Sequence, residues 1–212
     1  MNFATAPYRA TLPVGTQGQN HMGHSQAEKA KSYQRILDAA ALQLRQAGLA
    51  GVGIGELMKS VKLTHGGFYG HFTSRDDLIA AALDKALVEG ETSSLRAGKG
   101  PRTLKSFLNS YLSKAHRDNP GSGCAVSALA GDVARADQRS REIMTKHVAH
   151  YFDTIGDLLE DEDATGFAMS VMCTVVGALT LSRVISDEEM SDKVLLAARK
   201  AILEHAEMRA SS

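Results

Sequence analysis

The sequence predicts an all-α fold, and three observations support this prediction. Aromatic residues make up only 5% of the 212-residue chain, Trp is absent and there are four Pro, a composition that favours helices over a sandwich or barrel. Apolar residues recur at steps of three and four along most of the chain, as they do on one face of a helix. No segment shows the alternation of apolar and polar residues that is typical of strands.

The chain divides into three predicted segments. Residues 1–24 are rich in Gly, Thr, Gln and Asn and have no apolar stretch of the signal-peptide type, so we expect a disordered tail there. Residues 25–75 contain several short helical patterns and are expected to form a small N-terminal domain. Residues 76–212 contain longer patterns and are expected to form a larger helical domain.

Four helices are predicted in the N-terminal part from apolar periodicity and capping residues. Gly48 ends the first helix, Thr64 is a favourable N-cap for the third, and Ser74 with Asp77 three residues later forms a capping-box pattern before the fourth. The second and third helices are separated by four residues only, which predicts a tight turn. The predicted bounds are 27–47, 54–60, 65–72 and a helix that opens after 74 and continues through 87.

Five further helices are predicted in the C-terminal part, where loops rich in Gly and Pro at 97–101 and 119–123 bracket the first of them. The fourth is apolar nearly all round, which predicts a buried helix. Its uncharged stretch, 166–182, contains Ser, Thr and Gly and is short for a membrane span, so no membrane partner is expected. The predicted bounds are 103–117, 125–135, 138–160, 164–185 and 191–208.

The charges are balanced in number but not in position. The 24 basic and 24 acidic residues give a net charge of zero, which by itself argues against nucleic acid as a partner. Residues 1–75 contain eight Lys or Arg and three acidic residues, which leaves 16 basic and 21 acidic residues for the remainder. The resulting net charges of +5 for residues 1–75 and −5 for the remainder fit an N-terminal segment that faces phosphates and an acidic C-terminal part.

Residues 51–79 contain the most specific pattern, which reads GVGIGELMKSVKLTHGGFYGHFTSRDDLI. Its Thr cap, the aromatic pair Phe68-Tyr69 and the pair His71-Phe72 closely resemble the DNA-binding signature of the TetR family of bacterial regulators. The resemblance implies an N-terminal three-helix bundle with a helix-turn-helix, and a larger helical C-terminal domain for ligand binding and dimerisation. Lys62 stands where the family usually has Gly in the turn, so it either strains the turn or adds a phosphate contact.

Eight residues of this pattern are predicted to face DNA. A short helix fits the major groove, and its glycines remove bulk from the outer face so that the backbone can approach DNA. Thr64 and the N–H groups at the helix start suit a phosphate, and His65 is a candidate for a base-edge contact. The resemblance implies that Tyr69 and His71 contact the sugar-phosphate backbone of DNA. The eight residues are Lys62, Thr64, His65, Gly66, Gly67, Tyr69, His71 and Arg75.

The resemblance implies a transcriptional regulator, most commonly a repressor that a small-molecule effector releases from a palindromic operator. A single short recognition helix reads only a few base pairs, so we expect a homodimer whose two reading helices lie about 34 Å apart on double-stranded DNA. Residues 164–185 and 191–208 are the expected interface, because they combine small residues with an apolar stripe. An effector in a largely apolar pocket is expected to tilt the helix that begins near Ser74.

The two cysteines, Cys124 and Cys173, lie far apart and match no zinc or redox spacing, which predicts a reducing, cytoplasmic compartment. Cys124 opens a predicted helix, where the helix dipole favours the thiolate, so one alternative is a redox or electrophile sensor that acts through Cys124 on the same DNA-binding scaffold. The other interpretation of Cys124 is a small buried hydrophobic residue. Cys173, inside the apolar helix, is expected to be inert.

Two more distant alternatives contain no DNA site. One is a helical scaffold protein, which burial of Thr64, His65 and Tyr69 would favour. The other is an enzyme, but the sequence has no P-loop, GxSxG elbow or dinucleotide fingerprint, so neither enzymatic activity nor a cofactor is expected. His147 and His150 lie three apart on a predicted helix, but no partner motif supports a metal site.

Overall fold

The computed structural model describes residues 18–95, 102–159 and 164–211, and these residues form helices and no strand, which confirms the all-α prediction. Three of the helices are short 3-10 helices: η1 (Leu49–Gly51), η2 (His65–Gly70) and η3 (Pro120–Ser122). The α-helices are α1 (Gly18–Ala47), α2 (Ile54–Ser60), α3 (Arg75–Leu95), α4 (Leu104–Tyr111), α5 (Lys114–Asp118), α6 (Ala125–Val133), α7 (Gln138–Gly156), α8 (Ala164–Val184) and α9 (Glu188–Ala210).

The first helix starts earlier than the sequence analysis expected. α1 begins at Gly18, so the prediction of a disordered tail is wrong for residues 18–24, and residues 1–17 lie outside the described residues. No Pro interrupts residues 18–47, and the segment contains many good helix formers such as Gln, Ala, Lys and Leu. The apolar periodicity that marked Ala27 as the start therefore records where the helix meets the core, and not where it begins.

The N-terminal unit, which consists of α1, η1, α2 and η2, is built around one buried aromatic side chain. Phe68 of η2 is fully buried and packs with Leu57 and Met58 of α2 and with Ile36 of α1 in the continuous core of the protein. Phe72 stacks on Phe68 with ring centroids 5.6 Å apart. Burial of one side of α2 and of η2 holds these two short helices against α1, since helices of six or seven residues are not stable alone.

η2 is a 3-10 helix of six residues, and not the α-helix over 65–72 that the pattern predicted. Its bonds span three residues: the Gly67 N–H donates to the Thr64 carbonyl at 3.0 Å and the His71 N–H donates to the Phe68 carbonyl at 2.9 Å. Glycines at three of its six positions disfavour a regular α-helix. The segment is therefore more tightly wound than expected.

α3 is one continuous helix that runs from the N-terminal unit into the C-terminal part. The Asp77 N–H donates to the Ser74 hydroxyl at 3.1 Å, as predicted for an N-cap. The Asp77 carboxylate accepts from the backbone N–H and the hydroxyl of Thr73, both at 3.3 Å, and so reaches one residue beyond the capping-box position. These contacts fix the loop between η2 and α3.

The C-terminal part packs α4 to α9 around buried residues such as Leu108, Leu129, Tyr151 and Val175. The helix predicted over 103–117 is instead divided into α4 and α5, because the Ser113 hydroxyl accepts from the His116 N–H at 3.1 Å and starts a new helix. The other boundaries differ from the predicted ones by a few residues. α9 begins at Glu188 because Asp187 caps it through the Met190 N–H.

Two close contacts join the N-terminal unit to the rest, and a third holds α3 against the start of α6. The buried Arg45 side chain of α1 donates to the Gly121 carbonyl of η3. Gly48 has a φ of +74°, which favours glycine, and the next N–H, that of Leu49, donates to the Asp132 carboxylate of α6 at 3.0 Å. Gly90 of α3 lies so close to residues 123–125 that an added Cβ would come within 2.8 Å of the Ala125 nitrogen.

α8 is long and apolar enough to cross a membrane by length and composition alone. It packs instead against α7 and α9, and its Phe167, Val171, Val175 and Leu179 side chains belong to the core. Only one side of α8 is buried within the chain, so the prediction of a buried helix is correct for that side alone.

Candidate nucleic-acid interface

η2 presents one face to the core and the other to solvent. Phe68 is fully buried, whereas Thr64, His65 and Tyr69 are exposed, Tyr69 by 64%. The two exposed rings lie side by side, with centroids of His65 and Tyr69 6.3 Å apart in an edge-on arrangement. Exposure of these three residues removes the observation that would have favoured a scaffold protein.

The glycines of η2 leave the outer face open. A Cβ added at Gly66 or Gly70 would meet nothing within 4 Å, so the fold of this chain does not need glycine for space at either position. At Gly67 an added Cβ would lie 3.4 Å from the Thr64 hydroxyl oxygen, which accepts from the Gly67 N–H at 3.2 Å. Two of the three glycines therefore have no packing reason within the chain, and both leave the backbone accessible from outside.

Lys62 lies in the turn before η2 and has a φ of 58°. This left-handed conformation is the one that glycine adopts without strain, and it costs other L-residues about 1 kcal/mol or more. The N–H of Lys62 donates to the Lys59 carbonyl at 3.0 Å, and its side chain is exposed. The backbone strain expected from Lys62 at a position where the TetR family usually has Gly is therefore present. The exposed ammonium of Lys62 can also contact a phosphate.

His71 ends η2 and is half-buried against α1. Its ring lies 6.3 Å from that of Tyr33, which itself stacks on Phe72 at 5.1 Å. Burial lowers the pKa of the His71 imidazole, and the nearby positive charge of Lys29 lowers that pKa further. His71 is thus predominantly neutral at pH 7 in the free protein and presents an uncharged ring nitrogen.

Arg75 is held by the chain itself. Its Nε donates to the Val52 carbonyl at 3.1 Å and its Nη2 donates to the Leu49 carbonyl at 2.6 Å. The side chain thereby fixes the η1 turn against the start of α3. These contacts favour a structural role over the phosphate contact that the sequence suggested.

Two basic residues of α1 were not among the predicted site residues. Lys29 lies close enough to His71 to affect its pKa, and Arg35 lines a groove of about 510 Å³ together with Lys62. The spacing could have revealed Lys29, because Lys29 and Tyr33 are one helical turn apart. Both residues extend the basic surface from η2 onto α1.

Cys124 is buried, as one of its two interpretations predicted, whereas Cys173 is exposed. Cys124 is the N-cap of α6 and is fully buried, with its Sγ 3.5 Å from the Tyr151 hydroxyl. Its backbone N–H donates to His116 Nε2 at 2.8 Å. Cys173 is exposed on the outer side of α8, which corrects the expectation of a residue enclosed in an apolar helix.

The histidine pair on α7 has acidic partners on α3. His147 Nε2 lies 3.2 Å from Asp84 Oδ1, and His150 Nε2 lies 2.9 Å from Glu91 Oε1. Within the described residues, no group of three or more His, Cys, Asp or Glu side chains has an arrangement that could hold a metal ion. The pair forms inter-helix contacts.

A groove of about 420 Å³ lies between α5, α8 and α9 in the C-terminal part. Charged and polar residues, including Arg117, Asp118 and Arg183, make up most of its lining. This groove does not resemble the largely apolar pocket that was expected for an effector. Burial lowers the pKa of the Arg183 guanidinium, which donates to the carbonyls of His116 and Arg117.

Comparisons with known proteins agree on one family. The family described as bacterial regulatory proteins, tetR family, matches residues 36–82, which span most of α1, all of α2 and η2 and the start of α3. No curated protein matches the chain.

Many solved structures share the fold. A TetR-family regulator from Chloroflexus aurantiacus J-10-FL is 21% identical, with a TM-score of 0.71 over 84% of this chain and 96% of that one. A TetR-family regulator from Cytophaga hutchinsonii is 21% identical, with a TM-score of 0.69 over the same shares of the two chains. The reduced form of Escherichia coli NemR is 20% identical, with a TM-score of 0.66 over 81% of this chain and 95% of that one. Residues 36–82 thus match the family of TetR bacterial regulatory proteins, and the chain shares its fold with solved TetR-family regulators.

Proposed function

We propose that this regulator is a repressor that binds a palindromic operator as a homodimer and is released from it by a small-molecule effector. One observation carries the proposal: η2 buries Phe68 completely and exposes Thr64, His65 and Tyr69 on a face made accessible by glycines. A face of this kind lets backbone and side chains approach the edges of bases in a major groove.

The exposed residues divide by chemistry into those that suit phosphate and those that suit bases. The Tyr69 hydroxyl and the Lys62 ammonium are phosphate-binding groups, and Lys29 adds a cation on the neighbouring face of α1. The imidazole rings of His65 and His71 carry nitrogen atoms that can form hydrogen bonds with base edges. We assign base contact to His65, because it lies near the start of η2 and points away from the core.

The dimer would form through α8 and α9. These helices expose the apolar side chains Met169, Leu181, Val184, Met190, Leu196 and Met208. Along α8 the residues at steps of four, three, four and seven share one side, and most of them are small, which permits close contact between two helices. They are Gly166, Ser170, Cys173, Gly177 and Val184.

Gly177 offers a sharp test of this interface. A Cβ at Gly177 meets nothing within 4 Å in one chain, so a larger side chain leaves the fold intact. We expect Gly177→Leu to abolish the dimer in sedimentation analysis while circular dichroism stays unchanged. Gly131→Leu is the matched control, since Gly131 is equally open but lies on α6. A dimeric Gly177→Leu protein would place the interface elsewhere.

Release by an effector is proposed to act through α3. This helix begins directly after the η2 loop and continues into the C-terminal part, so a tilt of α3 changes the separation of two reading elements in a dimer. An effector that binds more tightly, by a few kcal/mol, to a dimer whose reading elements do not match the operator spacing is enough to release the DNA. A cytoplasmic location follows from access to the chromosome.

The thiol-sensor alternative receives less support. Cys124 Sγ is fully buried beside Tyr151, and a thiolate reacts only where an oxidant or electrophile can reach it. The alternative is still testable, because oxidant-dependent release that Cys124→Ser abolishes would establish it.

The central experiment is selection of binding sites from random duplex DNA. We expect a palindrome with half-sites about one helical turn apart. His65→Ala should then weaken binding roughly tenfold and relax preference at one base position, and Tyr69→Phe should weaken binding to all sequences alike. Asn109→Ala, on the exposed side of α4 and outside the proposed dimer interface, is the control and should bind like the wild type. Unchanged affinity in both η2 variants would place the reading face elsewhere.

A further inference from the structure

Three acidic residues of α3 recur at intervals of seven: Asp77, Asp84 and Glu91. A seven-residue interval returns to nearly the same side of an α-helix, so the three carboxylates form one row. The row begins at the loop that carries η2, because Asp77 also accepts from the Thr73 N–H. It ends about four turns later at Glu91, beside Gly90.

Each carboxylate of this row has a basic partner on α7. Arg139 Nη1 lies 3.3 Å from Asp77 Oδ1, and His147 Nε2 lies 3.2 Å from Asp84 Oδ1. Glu91 bridges both histidines, with Oε1 2.9 Å from His150 Nε2 and Oε2 3.6 Å from His147 Nδ1. The side chains of His147 and Glu91 are only 14% and 23% exposed, so solvent and salt screen this part of the row less than a surface pair.

The other charged groups around the two histidines are exposed to solvent or engaged elsewhere. Lys85 of α3 binds Asp38 and Glu89, Asp132 of α6 binds the Leu49 N–H, and Arg183 of α8 binds backbone carbonyls. The Thr154 hydroxyl lies 3.5 Å from His150 Nε2. The exposed charged groups are Arg141, Glu142, Lys146 and Asp153 of α7 and Lys105 of α4.

We infer that His147 and His150 form a proton-dependent latch between α7 and the carboxylate row of α3. An imidazole changes charge between pH 5 and 8, and only the protonated ring makes an ion pair with a carboxylate. Protonation therefore ties α3 to α7 at three positions, and deprotonation leaves Arg139 with Asp77 as the one ion pair of the row. The latch acts on the orientation of α3, and its effect on DNA rests on the function proposed above.

The latch is tested first without DNA. Double-mutant cycles of unfolding in urea, run at pH 6 and pH 8, measure the coupling between His150→Gln and Glu91→Gln and between His147→Gln and Asp84→Asn. At pH 6 we expect each histidine cycle to give a coupling that changes the unfolding equilibrium constant about threefold. At pH 8 we expect the coupling free energy to be less than half of its value at pH 6. The cycle of Arg139→Gln with Asp77→Asn is the internal control and should be the same at both pH values. Equal coupling at both pH values in the histidine cycles would overturn the latch.

The second measurement concerns the operator recovered by selection. We expect the ratio of wild-type affinity to that of the His147→Gln/His150→Gln protein to change at least twofold between pH 8 and pH 6, because the other histidines contribute equally to both proteins. A constant ratio would show that the latch does not reach the DNA interface and would overturn its regulatory role. Absence of any operator, with pH-dependent coupling retained, would refute the proposed function and leave the latch established.

Discussion

The guanidinium of Arg45, at the end of α1, donates through Nε to the carbonyl oxygen of Gly121 at 2.5 Å, across 76 positions of the chain. Its Nη1 donates to the Ala86 carbonyl at 3.3 Å and to Glu89 Oε2 at 3.0 Å. The Arg45 side chain is only 6% exposed. One side chain of the N-terminal unit thus contacts both α3 and η3.

Arg45→Met should destabilise the protein by about 2 kcal/mol, because the buried Gly121 carbonyl loses its partner while the aliphatic volume is largely kept. Glu89 keeps Lys85 as a partner, which limits the loss. Urea denaturation followed by circular dichroism measures the change. Arg35→Met, on the exposed side of the same helix, should change stability by less than about 0.5 kcal/mol. Equal effects of the two substitutions would mean that the Arg45 contacts contribute nothing net.

Lys62→Gly should stabilise the protein by about 1 kcal/mol, because glycine adopts the φ of 58° without strain. Lys62→Ala removes the same charge but retains the strain, so it should leave stability nearly unchanged. Both variants should weaken DNA binding equally if the ammonium contacts a phosphate. Thermal unfolding and operator titration at two salt concentrations separate the two effects. A loss of stability in Lys62→Gly would show that the turn is not strained.

Gly90→Ala should destabilise the protein by about 1–3 kcal/mol, because the new Cβ would lie 2.8 Å from the Ala125 nitrogen and 2.9 Å from the Gly123 carbonyl. Both atoms belong to backbone and cannot move aside cheaply. Gly131→Ala is the matched control on α6, where the new Cβ meets nothing within 4 Å. That substitution should instead stabilise the helix, by about 0.5–1 kcal/mol. Stability curves in urea for the two variants should move in opposite directions.

His116 makes the stability of the C-terminal part depend on pH. Its Nδ1 lies 2.7 Å from the Tyr111 carbonyl and its Nε2 accepts from the Cys124 N–H at 2.8 Å, an arrangement that requires a neutral ring protonated at Nδ1. Burial lowers the pKa of His116, the Tyr111 carbonyl raises it in part, and the charge of Arg183 lowers it further. The unfolded chain therefore binds a proton more readily than the folded one.

The sign of the effect follows from that difference in pKa. The contribution of His116 is fully present above the unfolded-state pKa of about 6.5 and is lost as the pH falls through the lower folded-state pKa. We expect the melting temperature of the wild type to fall more steeply below pH 6.5 than that of His116→Gln, although the variant is less stable at pH 8. Parallel pH profiles of the two proteins would contradict this assignment.

Features that follow from local spacing, such as the positions of the helices, are predictable from the sequence. Features that depend on contacts between distant residues are not. Helix positions follow from the spacing of apolar residues, and Thr64, His65 and Tyr69, which the sequence predicts to face DNA, are exposed on the side away from the buried Phe68. The glycines of η2 are visible in the sequence, but the pattern predicts an α-helix and does not show that three glycines in six residues favour a 3-10 helix. A pattern of single residues does not show whether a guanidinium is already bound by the chain, as Arg75 is.

The C-terminal part shows the same limit. The interval of seven between Asp77, Asp84 and Glu91 was present in the sequence, but only the packing of α7 on α3 shows that His147 and His150 face it. The apolar residues on nearly all sides of α8 predict that Cys173 is enclosed. Its exposure reflects a helix that packs on one side only within a single chain, which sequence periodicity could not separate from full burial.

The close contacts between α1 and residues 121–132 have a consequence for protein engineering. Arg45, Gly48 and Leu49 depend on Gly121 and Asp132, which lie far beyond any boundary that the DNA-binding pattern suggests. A hybrid regulator that joins the first 74 residues of this chain to the C-terminal part of a solved TetR-family regulator would lose these partners. The DNA-binding segment is therefore not a freely exchangeable cassette, and a working hybrid would have to carry the η3–α6 segment along with it.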